Sequence, residues 1–135
     1  MAAEIDTTLE ELVAGRIWLT KYPIHYAGCD FFARAAFIRL SSGDVLVHSP
    51  CPIRDGLLEA LSPIGPLRHI VAPGTYHYFN VAAWQKAFPE ATTWVCPGVE
   101  RKRPELDFDW FLSDHAPETW ASEIAQVLVR GNRFI

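Results

Sequence analysis

The chain has 135 residues, half of them hydrophobic and 21% charged, the size and balance of one globular domain able to bury a core. Its formal net charge of −4 argues against nucleic acid or an anionic membrane as partner, and no apolar run approaches the ~20 residues that a membrane helix needs. The acidic start MAAEIDTTLEEL lacks the apolar core of a signal peptide, so a cytoplasmic location is expected.

In chain order, Thr7 to Leu12 reads as a short helical turn or a loose lead-in, and Arg16 to Thr20 has the β-branched and aromatic content of a strand. Lys21 to Phe32 holds Pro23 and Gly28 and reads as a loop; it carries Tyr22, His25, Tyr26 and Cys29, a cluster of polar-tipped side chains. Ala33 to Leu40 and Asp44 to His48 flank Ser41-Ser42-Gly43, the pattern of a β-hairpin. Alternation there puts Val45 and Val47 on one face, Leu46 and His48 on the other. Ser49-Pro50-Cys51-Pro52 is a rigid loop into a helix expected from about Ile53 to Leu61, whose apolar stripe is Leu57, Leu58 and Leu61. Pro63 to Pro66 ends that helix.

The segment from Leu67 to Gly98 organises the rest. Arg68 to Ala72 reads as a buried strand, Pro73 to Tyr76 as a tight loop, and His77 opens a helix that Pro89 stops. Thr92 to Cys96 is the next strand, so this is a βαβ unit with its ligand loop at Pro73 to His77. Beyond it come a basic turn, VERKRPEL, whose Arg101, Lys102 and Arg103 read as a solvated face, then a short strand at Phe108 to Leu112. A helical turn at Pro117 to Trp120 and a strand at Ile124 to Val129 close the list. The order predicts an α/β domain with one mixed sheet, an antiparallel hairpin at its start and βαβ units after it.

Five Trp, eight Phe and four Tyr are many for a small core, which points some of them at a cleft or interface. Cys29, Cys51 and Cys96 lack CxxC spacing and read as reduced, partly buried residues; a metal-thiolate site would need partners brought close in space. Neither Gly-x-Ser-x-Gly nor a phosphate-cradling glycine loop occurs.

The stretches LVHSP, LRHIVAPGTYH, AWQKAFPEA, KRPEL and QVLVRGNRF together resemble a family of unknown function within the metallo-β-lactamase-like superfamily, over nearly the whole chain. The resemblance implies that residues 1–135 form a single metallo-β-lactamase-like domain, the N-terminal half of that fold. The chain ends at Arg133-Phe134-Ile135, where such proteins continue into a second half; a natural half-domain, a truncated product and a fragment all fit. The superfamily's metal motif, His-x-His-x-Asp-His, falls without a gap on Ala72, Gly74, Tyr76 and His77, so three ligands are replaced. No metal and no cofactor are expected, because a catalytic zinc needs about three protein ligands.

His48 stands where the superfamily has a strand-end aspartate, and His48 and His77 are expected to face one cleft. Three readings of them stay open: histidines that satisfy loop backbone and pack at a helix start, a rebuilt site, or a binding cleft without metal. The candidates for chemistry are His77, His48, Tyr76 and Cys51, and those for binding are Tyr78, His25 and Tyr26. The expected function is binding of a small molecule or a protein partner through the cleft near His77. The alternative is a hydrolase of ester or thioester type with a rebuilt His/Tyr/Cys or metal site, Cys51 as nucleophile and His48 as base. A third reading is a structural subunit whose aromatic face completes a partner. A half-fold leaves one sheet face uncovered, so a homodimer is expected.

Overall fold

The computed structural model describes residues 9–131. Its dominant element is a long two-stranded hairpin, β2 (Ile17–Tyr26) against β3 (Cys29–Arg39), which follows β1 (Glu10–Val13). Tyr26 pairs with Cys29, leaving a two-residue turn in which Ala27 and Gly28 both have positive φ, 53° and 77°. Turns of that kind match the twist of the strands they join. The loop expected over Lys21 to Phe32 is therefore corrected to paired strand. Pro23 is tolerated because β1 pairs only with Ile17, Trp18 and Leu19, so one side of β2 is open where the proline lies. Glu10 to Val13 is likewise strand, not a helical turn; Thr7 and Thr8 lie outside the described residues.

From β4 (Val45–His48) the chain turns to parallel pairing. α1 (Leu57–Leu61) leads to β5 (Leu67–Ala72), α2 (Val81–Ala87) to β6 (Thr92–Val95), and α3 (Val99–Lys102) to β7 (Trp110–Phe111). The seven strands lie side by side in chain order; β1 to β4 are antiparallel, and β4 to β7 parallel. This mixed sheet agrees with the α/β architecture expected. Two elements are shorter than their patterns: α1 starts only at Leu57, after Gly56 at φ 85°, and the strand expected over Phe108 to Leu112 is only Trp110–Phe111.

Each sheet face has its own core. On one, Trp18, Phe37, Val45, Val47, Ile70 and Val95 meet Leu57, Leu61, Val81, Trp84 and Val99 of the helices. On the other, Leu40, Leu46 and Val71 pack with Trp120, with Leu112, Ala116 and Ile124 beside them. Val45 and Val47 thus part from Leu46 as the alternation predicts. The second face is not open: residues 112–128 cross it. Glu123 clasps this segment to the sheet end, accepting from Arg16 Nη2 at 3.0 Å and from Ser41 N at 2.7 Å.

The strand expected over Ile124 to Val129 does not form. Its contacts run elsewhere: Leu128 N donates to Asp114 Oδ1, and Gln126 Nε2 reaches out of the segment to donate to Ser113 O and His115 O. Among the described residues no helix is long and apolar enough to cross a membrane.

Candidate functional site

The hairpin outruns the sheet, and its inner face supplies one wall of a cleft. Tyr22, Ile24 and Tyr26 follow Trp18 and Thr20 at period two, so they share the helix-side face but lie beyond the helices that bury the first pair. Phe31 joins them from β3. The opposite wall is loop: Pro52, then Tyr76, His77, Phe79 and Asn80, and the cleft between encloses about 450 Å³. Tyr26 meets Tyr76 edge to face at 5.9 Å, and the Lys102 ammonium sits 4.5 Å from the Tyr76 ring centroid. His25 also lines the cleft and holds Asp30 Oδ1 at 2.6 Å from its Nδ1.

His77 does not open a helix. Residues 73–80 are hydrogen-bonded turns, with His77 N donating to Gly74 O and Val81 N to Tyr78 O, and α2 begins four residues later. Gly74 is confined by space, since a Cβ there would sit 3.2 Å from His77 Cδ2. Asn80, at the N-cap position, spends its side chain on Pro50 O at 3.1 Å, which ties this loop to the one after β4.

That second loop starts with Ser49, which sequence reasoning passed over. Ser49 has φ +58°, is 7% exposed, and directly follows β4. Its Oγ lies 3.2 Å from His77 Nδ1 and 3.4 Å from His48 Nδ1. Surrounding protein holds both histidines below their ordinary pKa, and for His48 the charge that His77 would carry adds to the effect. Only a three-dimensional contact reveals this serine; the one local sign is the unusual corner His48-Ser49-Pro50.

Of the seven residues singled out from the sequence, His77, Tyr76, His25 and Tyr26 line the cleft. His48 does not: the alternation of β4 sends it with Leu46 to the opposite face, into a cavity of about 310 Å³ under residues 112–128. The two histidines therefore face different cavities and meet only through Ser49. Tyr78 turns away, stacking on Phe79 at 4.6 Å and packing against the helix-side core. Cys51 is wholly buried and its thiol is pushed up to about 11, mainly by burial, with the nearby Arg54 guanidinium pulling the other way. A thiol so placed is not a nucleophile at neutral pH, which removes the Cys51–His48 pair.

No family model matches the chain, and no curated protein matches it in sequence. Solved structures do match in shape. A metallo-β-lactamase from Pontibacter korlensis superposes with TM-score 0.60 at 11% identity, over 81% of this chain and 54% of that one. The DIM-1 metallo-β-lactamase gives 0.61 at 11%, over 84% and 55%. FIM-1 from Pseudomonas aeruginosa, in its mono-zinc form, gives 0.57 at 14%, over 80% and 52%. The fold is metallo-β-lactamase-like, and the chain spans about half the length of these enzymes.

A zinc ion does not fit the residues at the motif positions. Ala72 is a fully buried methyl group, Gly74 has no side chain, and Tyr76 lies against Tyr26 and Lys102. Among the described residues no three His, Cys, Asp or Glu side chains form a group that could hold a metal.

Proposed function

We propose that this chain is a degenerate metallo-β-lactamase-like protein that does not work as a zinc hydrolase and binds a small aromatic molecule in the cleft beside His77. The observation that carries the reading is exposure: Tyr26, Phe31 and Phe79 keep 57%, 46% and 58% of their surface open around one concavity. Apolar surface gathered in a cleft rather than scattered is what a ligand covers. His25, His77 and Asn80 add a few polar atoms for orientation. 2-Naphthol, followed by its own fluorescence, is expected to bind saturably with a dissociation constant of about 1 mM or tighter, and Tyr76→Ala to weaken it roughly fivefold or more. Absence of saturable binding by the wild-type chain sinks the reading.

The homodimer is a proposal on different ground from the open face. Support comes from β7, the last strand of the sheet, where Trp110 and Phe111 are 60% and 49% exposed. Pairing with a second copy through this edge would cover both rings. Sedimentation equilibrium is expected to report a dimer at micromolar concentration; a monomer there refutes it.

A further inference from the structure

We propose that Ser49 is a nucleophile for acyl transfer, that His77 takes its proton, and that small aromatic esters are the substrates. The proposal rests on the cleft reading above, which supplies the place for the aromatic group.

Three observations converge on Ser49. Its position comes first: it leaves β4 as His77 rises from the loop after β5, and the two strands are adjacent and parallel, so both residues lie beyond carboxyl ends of strands. Its backbone is second. A φ of +58° is uncommon for serine, and Pro50, next in the chain, further restricts the conformations open to it. Such strain persists only where the surroundings impose it, and Ser49 N is held by donation to Val71 O at 3.1 Å. A serine on a sharp, strained corner after a strand is the device that presents a hydroxyl for attack in other hydrolases. The third observation is the hydroxyl itself, placed between two ring nitrogens at 3.2 and 3.4 Å. Burial lowers the His77 pKa and so favours the neutral ring, the form that can accept the Ser49 proton at 3.2 Å. His77 borders the cleft and Ser49, 7% exposed, lies behind it at 3.2 Å from that ring, so a carbonyl reaches the hydroxyl by entering beside His77.

The step balances without a metal or a redox partner. As Ser49 Oγ bonds to the ester carbonyl carbon, its proton passes to His77 Nδ1. The adduct collapses, the bond to the alcohol oxygen breaks, and the alcohol leaves with the proton from His77. Water then adds to the acyl carbon and gives a proton to His77; the bond to Ser49 Oγ breaks, His77 returns the proton to that oxygen, and a carboxylic acid departs. Among the described residues no carboxylate pairs with the His77 ring, so deacylation is expected to be slow and the acyl-serine to accumulate.

The experiment is intact-mass and peptide-mass analysis after exposure to 2-naphthyl acetate, with 2-naphthol binding measured in parallel. The wild-type chain should gain the mass of one acetyl group, located at Ser49. Ser49→Gly should gain none there; glycine accepts this φ without strain, so the variant keeps its near-ultraviolet circular dichroism while lacking the hydroxyl. His77→Gln should slow acetylation roughly a hundredfold or more. A chain that binds 2-naphthol but is never acetylated at Ser49 overturns the nucleophile and leaves the cleft standing. A chain that does neither overturns both. Acetylation of Ser49 at an unchanged rate in His77→Gln overturns the role of His77.

Discussion

Trp84→Ala is expected to destabilise the protein by about 3–5 kcal/mol, the range for deleting a large aromatic ring from a tight core. Trp84 is wholly buried, stacks on Phe88 at 5.7 Å and packs against Phe37 at the same separation. Its Nε1 donates to Cys51 O at 2.6 Å, so the truncation also strands a buried carbonyl, at a further cost of about 1 kcal/mol or more. That bond joins α2 to the Pro50–Pro52 loop, the same loop that begins with Ser49. Against a whole stability of about 5–15 kcal/mol, the variant stands near its unfolding limit. Urea titration by circular dichroism checks it. Trp84→Phe should recover most of the ring packing but not the hydrogen bond. A midpoint for Trp84→Ala within error of wild type would mean the helix layer is not packed as described.

Trp120→Ala is the second large effect, and its signature differs. Trp120 is 2% exposed and anchors residues 112–128, meeting Trp94 at 4.9 Å and His69 at 5.7 Å, with Nε1 donating to Gln126 Oε1 at 3.0 Å. A loss of about 3–5 kcal/mol is again expected. Here the loss should be felt as local release of the covering segment as well as in global unfolding. His69 reports it. In the intact protein burial lowers its pKa, with Asp44 pulling weakly upward, and Trp94 Nε1 donates to its Nδ1 at 3.4 Å, which favours the neutral ring. The sign follows from linkage. The unfolded chain binds the proton more readily, so this contribution to stability is complete above the ordinary value near 6.5 and is lost as pH falls toward the folded value. In Trp120→Ala the ring gains water, and its pKa should move up toward the ordinary value in an NMR titration. An unmoved His69 titration would place Trp120's contribution elsewhere.

How far the fold could be read from the chain is clearest in the hairpin. Trp18, Thr20, Tyr22, Ile24 and Tyr26 carry an unbroken period of two, yet Pro23 and Gly28 outweighed it and turned ten residues of strand into a loop. Proline demotes a strand only where its missing N–H is needed, and whether a neighbour lies alongside is a property of the sheet. The βαβ unit was readable because local turn chemistry and burial agree there: Pro73-Gly74, then Pro89, bound elements whose apolar spacing is helical or continuous. The local mark of the late start of α2 is Asn80, a residue type favoured at helix N-caps. The strand expected near Ile124 failed for a reason no window of sequence contains, since the partners of Leu128 N and of the Gln126 side chain, Asp114 and the carbonyls of Ser113 and His115, lie outside it.

The candidate site divides the same way. His25, Tyr26, Tyr76 and His77 could be gathered because two chain segments of mixed polar and aromatic character suffice to name them. Ser49 could not. It became visible only when β4 and β5 lay parallel and brought its hydroxyl beside an imidazole 28 positions away. His48 shows the converse, since the alternation that was read correctly already sent it to the far face, away from the cleft it was expected to share.

The strand order of the sheet bears on how the chain comes to be folded. Every strand bonds to the one made just before it, so as synthesis proceeds each new strand meets an edge already complete. None has to wait for a partner downstream, and the first closures are short, across three residues between β1 and β2 and two between β2 and β3. Longer closures are the clasps of Glu123 on Arg16 and Ser41, which span 107 and 82 positions and cannot form until all seven strands have been made. Pairing can therefore run from one edge to the other, and the covering of the second face follows the sheet.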